Sequence, residues 1–261
     1  MIRALIDGMS LTGVLFTTVF IVLLATELGF RLGLARNRRA GSGNESQVSS
    51  MTGAHLGLLA FILAFTFSMA AGHYDTRKKV ILEEANAIEN AYLRTSLVIA
   101  PEADKLKSLL LQYITIRNIE PDLKKAAEAI RKSEALHAQM WHELESIAAG
   151  QNLNVMHSLL VQSINSVIDI HEDRVSAGLR NRIPPSIWVA LYVVLTLSML
   201  GMGFNSGLQG SRSTVPSVAL ALSFSMVLYL IADLDRPDSG LVISNQAAME
   251  DLSQKMLKPG S

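Results

Sequence analysis

The sequence contains no cysteine, which removes disulfide frameworks, zinc–thiolate and iron–sulfur sites, and cysteine nucleophiles together. Charge is scarce as well: Asp, Glu, Lys and Arg make up 18% of 261 residues, against about 25% in an average soluble domain. What charge there is balances, with 23 basic and 23 acidic residues, so no basic surplus points to a nucleic-acid partner. There is no Gly-x-Ser-x-Gly elbow, phosphate-cradling glycine loop, dinucleotide fingerprint or His-Glu-x-x-His pair. The nearest approach, Gly201 and Gly203 with Gly207, ends an apolar run rather than following a strand. Gly203-x-x-x-Gly207 therefore reads as a place where two helices approach closely. Neither an enzyme nor a cofactor is expected.

What the chain has in excess is apolar residues, 49% of the total, with a mean hydropathy of +0.31. They sit in four blocks: Leu11 to Leu28, Gly53 to Ala71, Ile187 to Phe204 and Val215 to Ala232. A helix rising 1.5 Å per residue needs about 20 residues to cross a hydrocarbon core of about 30 Å, and each block is close to that length. A soluble helix would keep a polar face, which these lack. The first block has no Ala-x-Ala-type cleavage site, and Arg31, Arg36, Arg38 and Arg39 follow it as a stop-transfer signal, so it is retained as a span. The predicted fold class is an all-α membrane protein, with four transmembrane helices and a helical-bundle insert between spans two and three.

The domain reading follows: residues 1–72 hold spans one and two, 73–186 the extramembrane bundle, 187–232 spans three and four, and 233–261 a tail. The Gly/Ser/Asn-rich half of the first loop reads as a flexible connector. The insert is charged, poor in glycine and helical in period throughout. Ile81, Ala85, Ile88, Tyr92, Thr95 and Ile99 follow heptad spacing, with no proline before Pro101, so this helix is expected to continue unbroken from span two. A second helix carries Leu106, Leu109, Leu110, Tyr113 and Ile116. A third carries Leu123, Ala127, Ile130, His137, Trp141, Leu144 and Ala148. A fourth carries Leu153, Met156, Leu160, Val167 and Ile170, ending before Pro184 and Pro185. Antiparallel packing into a bundle is the expectation.

Orientation rests on arginines in short loops. Arg31, Arg36, Arg38, Arg39 and Arg212 favour a multi-pass inner (plasma) membrane protein with its short loops in the cytoplasm and its bundle on the outer, periplasmic side. Arg77, Lys78, Lys79, Arg174, Arg180 and Arg182 flank the spans on the bundle side and pull the other way.

Several constellations can carry chemistry. Glu134 and His137 form a Glu-x-x-His pair on one helical face, a weak metal candidate of the kind found in di-iron bundles. Glu83, Glu84 and Glu89 offer further carboxylates, but Asp169 and His171, at i and i+2, share no face. The bland alternative is a polar seam beside Trp141. After span four, Asp233, Asp235 and Asp238 crowd one turn with Arg236 and Pro237. Around an oligomer axis Asp233 and Asp235 form a cation-concentrating ring, and otherwise they are a solvated interfacial stop. His55 and Thr66 in span two are further ion-path candidates, because polar groups inside a membrane merit a functional reading. Asn86 and Asn90 share a face and either fix helix pairing, the favoured reading, or line a wet vestibule.

Residues 64–94 resemble the signature of the bacterial bestrophin-like membrane protein family, through Tyr74, Asp75, Arg77, Glu84, Ala85, Asn86, Ala87 and Ile88. Ile183-Pro184-Pro185-x-x-Trp188 is similar too, as is Leu234-Asp235-Arg236-Pro237-x-x-Gly240-Leu241 with Ser244 beyond. Order and spacing agree over roughly residues 50 to 255. One departure is Ala247 and Ala248, where relatives tend to carry a proline. The resemblance implies kinship with bestrophins, which are pentameric anion channels whose four spans frame a pore and continue into a cytoplasmic helical bundle. An aromatic-lined neck is not evident, since Phe61, Phe65 and Phe67 do not share one face. Two functions therefore compete: a homo-oligomeric ion-permeable channel in the lipid bilayer, its bundle a vestibule, or a non-conducting scaffold or sensor whose bundle binds a partner or ligand.

Overall fold

Four apolar runs become four long helices in the computed structural model of the chain, which describes residues 10–40, 45–98, 101–118, 123–150, 155–212, 214–236 and 246–257. In chain order the helices are α1 (Leu11–Ala40), α2 (Glu45–Thr95), α3 (Pro101–Arg117), α4 (Leu123–Gly150), α5 (Val155–Val175), α6 (Pro185–Leu208), α7 (Thr214–Asp235) and α8 (Ala247–Leu257). A π-helical turn, Ser176–Arg180, follows α5. No strand occurs among the described residues. Among the described residues four helices are long and apolar enough to cross a membrane, and they contain the four predicted blocks. The helices overrun those blocks, most of all α2, which continues without a break for 51 residues.

The chain divides into two compact units, Met1–Gly72 with Arg182–Arg236, and His73–Asn181 with Pro237–Ser261. In the first unit α1 packs along α6 and, less extensively, along α7. Val22, Ala25, Leu59, Leu63, Leu191, Leu195, Leu228 and Ile231 form its core. Five hydroxyls in the spans are satisfied without water: Thr18, Thr26, Thr66, Thr196 and Ser198 each donate to the carbonyl one turn back, at 2.7–2.8 Å. Large apolar side chains cover the outside, including Phe16, Phe20, Phe61, Phe65, Val193 and Leu222. A surface this greasy requires lipid or protein against it.

Two glycine pairs set the closest approach in this unit. A Cβ built on Gly203 or Gly207 would overlap the carbonyl oxygen of Thr26 or Phe30, and one built on Gly29 or Gly33 would overlap that of Leu200 or Phe204. The sequence signalled Gly203 and Gly207 and missed their partners. Residue numbers rise together along the seam, so α1 and α6 run parallel, as two spans with a single span between them should.

The connector after span one differs from expectation. Arg31–Ala40 continues α1 and Glu45 opens α2, while the glycine-rich stretch 41–44 lies outside the described residues. Helix persists because Arg31 Nε donates to Glu27 one turn back at 2.8 Å, and Gly33 packs on α6.

In the second unit, the described part of the predicted seam on α2 is buried: Ile81, Ala85, Ile88 and Thr95 face inward with Tyr92 half-buried. Leu106, Leu110, Tyr113, Met140, Leu144, Leu160, Ile164 and Val167 complete the core. On α4 the predicted line is right at His137 and Leu144, which are buried, and wrong at Ala127, Trp141 and Ala148. The buried line is Ala129, Ser133, Leu136, Met140, Leu144 and Ile147, while Trp141 is 40% exposed and Ala127 and Ala148 face out. Trp141 misled because its bulk suggests a core position, yet Leu136, Met140 and Ile147 fit the helical repeat better. Residues read as tail supply another core element, since Met249, Leu252 and Met256 of α8 are buried in the same cluster. Ala247 opens α8, in a first turn where alanine is well tolerated.

Candidate functional site

The heptad pattern places Glu84 on the inward face of α2, one turn before Ile88, with no solvent exposure. A bare carboxylate there would be prohibitively costly, so the neighbouring helices supply countercharges. Arg117, at the end of α3, donates from Nε to Glu84 Oε1 at 2.8 Å and from Nη2 to Oε2 at 3.4 Å. Arg174, in the last turn of α5, donates from Nη1 to Oε2 and from Nη2 to Gln246 Oε1 at 3.0 Å. Tyr113 Oη donates to Glu84 Oε1 at 2.8 Å. Burial pushes the Glu84 carboxyl upward, but the charges of Arg174 and Arg117 outweigh it and hold the group below the usual carboxylate range. Burial, with the Glu84 charge beside it, drives the Tyr113 phenol well above its ordinary value. Glu84 is therefore ionised and Tyr113 is protonated.

Tyr113 also fixes a histidine. Its oxygen lies 3.3 Å from His171 Nδ1, and its one proton is already given to Glu84. His171 must then carry its hydrogen on Nδ1 and keep the lone pair on Nε2. His137 stands against both rings, its centroid 5.1 Å from Tyr113 and 4.8 Å from His171 in an edge-on arrangement. Burial, reinforced by the positive charge of Arg117, lowers both imidazoles to about 4, so both are neutral near pH 7. Neither Nε2 has a hydrogen-bond partner among the described residues, and both are shut off from solvent.

The predicted Glu134–His137 pair separates. His137 turns toward Tyr113, whereas a Glu134 oxygen comes within 4.8 Å of ligand atoms on His171 and Glu172. The reason is the phase of α4: Leu136 and Met140 set the buried line, which brings His137 inward and leaves Glu134 at the rim. His171 joins this set with its neighbour Glu172 and not with Asp169.

At the other end of the chain, the aspartates after span four are not a solvated stop. Asp233 is fully buried, and Asp235 and Arg236 are 6% and 7% exposed. Asp235 Oδ1 accepts the Ile183 backbone N–H at 2.8 Å, and Arg182 donates from Nη1 to the Asp235 carbonyl at 2.9 Å. Two of the motifs read from the sequence therefore meet: Asp235 secures the backbone just before Pro184 and Pro185, where α6 begins. Pro237 and Gly240 lie outside the described residues. Thr66 is buried inside the first unit and His55 is exposed, its Nδ1 2.9 Å from the Met51 carbonyl oxygen. The structure does not bring His55 or Thr66 to the aspartates. Asn86 and Asn90 are exposed, so within one chain they hold no helix pair together. Among the other signature residues, Arg77 is buried, Tyr74 half-buried and Asp75 exposed.

Sequence reasoning missed Tyr113, Arg117, Arg174 and Gln246 as members of the hydrogen-bonded network around Glu84. One signal was present: Arg117 falls one turn after Tyr113 on the apolar face of α3, a position that an unpaired arginine would not occupy.

An all-helical, four-span membrane protein with a helical bundle built around a buried ionic cluster is a definite architectural class. The Bestrophin-like domain family matches residues 14–246, and the chain belongs to that bestrophin-like family. The fold is similar to the crystal structure of a mutant form of a bacterial bestrophin homolog from Klebsiella pneumoniae, with a TM-score of 0.59 over 92% of this chain and 99% of that one. At 12% identity it is the fold that is shared. No curated protein matches the chain in sequence.

Proposed function

We propose that the protein is a homo-oligomeric ion-permeable channel of the inner membrane, a pentamer by its family resemblance, with the helical bundle as vestibule. The observation that carries this reading is the face that span two leaves uncovered. Gly53, Gly57, Ala60, Ala64 and Ser68 recur at helical spacing along α2 and are all exposed, and a Cβ on Gly53 or Gly57 would meet nothing within 4 Å. A lipid-facing helix has no need of such a ridge. Small residues in a span serve close approach to another helix or border a water path, and both require further copies of the chain. His55 is an exposed ion-path candidate on α2, and Asp233 and Asp235 are candidates for the charge at the end of α7.

Mass measurement of the detergent-solubilised protein tests the first requirement. A ring of copies is expected, and a monomer overturns the channel, because four spans in one chain do not enclose a hydrated pore. Ion flux into reconstituted vesicles tests the second. Recording from Asp235→Asn then tests the carboxylates, and unchanged selectivity removes them from the ion path. The side of the membrane occupied by the bundle is tested by a reporter fused after Gly150. The short-loop arginines favour the outer side, and a cytoplasmic signal would show that Arg77, Arg174, Arg180 and Arg182 dominate.

The second reading, a non-conducting scaffold or sensor, is favoured by a different observation. The bundle buries an ionic cluster around Glu84 in its own interior, where it serves the fold of the bundle rather than a path for ions. It predicts vesicles without flux and a bundle that binds a partner or ligand.

A further inference from the structure

We propose that Glu134, His171 and Glu172 form a divalent transition-metal site of the zinc class, bridging α4 and α5. One ligand atom from each of these residues lies within 4.8 Å of the others. Two exposed glutamates alone would mean little. The independent observation is His171, which is 1% exposed and whose Nε2 has no hydrogen-bond partner among the described residues. A buried nitrogen lone pair without a donor is a standing cost, and a cation beside two carboxylates relieves it. Among the described residues neither Glu134 nor Glu172 makes an ion pair, so their mutual repulsion is also unanswered.

The tautomer is already correct for a ligand. Glu84 takes the Tyr113 proton, Tyr113 oxygen accepts from His171 Nδ1, and Nε2 is left as the donor atom. Metal-bound histidines are oriented in this way, through the hydrogen bond on the second ring nitrogen. The donor set selects the ion. Calcium and magnesium prefer six or more oxygens, whereas one imidazole with two carboxylates suits zinc and its neighbours, with a further position left for water. Donors in a tetrahedral zinc shell stand about 3.4 Å apart, given bonds of about 2.0–2.2 Å. Closing the site to that spacing calls for rotation of Glu134 and Glu172, whose side chains are exposed. His137 stays outside the set as the ring that packs against His171.

Calorimetric titration of the chelator-stripped full-length protein in detergent with zinc chloride tests the site. One zinc per chain is expected. Glu134→Gln and Glu172→Gln, at exposed positions that the fold does not depend on, should each weaken binding by at least about tenfold. Tyr113→Phe should also weaken it, by about 10–100-fold, although its oxygen never touches the metal. His142→Ala, which removes an exposed histidine elsewhere on α4, should bind as the wild type does. Stoichiometric binding that survives both glutamine variants would overturn the proposal, as would no stoichiometric uptake by the wild type. Zinc uptake is read without ion flux, so this site and the channel reading stand or fall separately.

Discussion

Arg117 and Glu84 meet inside the bundle as a two-point ion pair, Nε to Oε1 at 2.8 Å and Nη2 to Oε2 at 3.4 Å, with Arg174 on the same carboxylate. One negative charge thus holds two guanidinium groups that belong to different helices. Such a pair contributes little relative to a well-packed apolar core, but removing one partner leaves buried charge without compensation. Glu84→Gln is therefore expected to destabilise the protein by about 3–5 kcal/mol. Thermal unfolding in detergent checks this, and a midpoint within a degree of wild type would mean that the cluster is solvated.

The two histidines give the bundle a pH dependence of definite sign. Unfolded histidine titrates near 6.5, and His137 and His171 titrate at about 4 in the folded chain. Between those values the unfolded chain binds more protons, so stability rises with pH through that window. It is complete above about pH 6.5 and is lost as the pH falls toward 4. Glu84, depressed below the carboxylate range, adds a loss of the same sign at lower pH. Unfolding midpoints recorded from pH 7 to 4.5 with chelator present should fall steadily, and less steeply in a His137→Gln, His171→Gln double variant. A flat profile would contradict the buried neutral imidazoles.

Asp235 separates two contributions. Asparagine keeps an acceptor for the Ile183 N–H and loses only the charge beside Arg182, whereas Asp235→Leu orphans a buried donor. The leucine variant should lose about 1–3 kcal/mol, the usual cost of such an unpaired group, and asparagine clearly less. Equal losses would show that the charge matters more than the cap.

Gly57 and Gly203 make a matched test. Gly203→Ala forces a methyl onto the Thr26 carbonyl and should cost about 1–3 kcal/mol of stability. At Gly57 a Cβ has nothing within 4 Å in its own chain, so Gly57→Leu should leave the helical content intact and reduce the fraction of oligomer measured by mass. An unchanged oligomer would move the subunit contact away from span two.

The spans, the unbroken α2 and the presence of a helical insert were legible because each depends on composition or period over many residues. The buried face of α4 was legible only in part, since the bulk of Trp141 suggests a core position although Leu136, Met140 and Ile147 fit the helical repeat better. α8 was hidden by its brevity: 11 residues with three buried side chains look like tail until a core receives them. The ionic cluster was half visible. Glu84 stood out within the α2 motif, but Arg117 and Arg174 reach it across 33 and 90 residues of chain, a distance that no local pattern spans.

The glycine seam between α1 and α6 limits how the protein can rearrange. Sliding one of these helices by even a fraction of a turn would drive side chains into backbone where only hydrogen atoms now fit. The pair therefore behaves as one plank, and any opening, tilting or ligand-driven adjustment within the lipid-facing half has to be carried by its other helices.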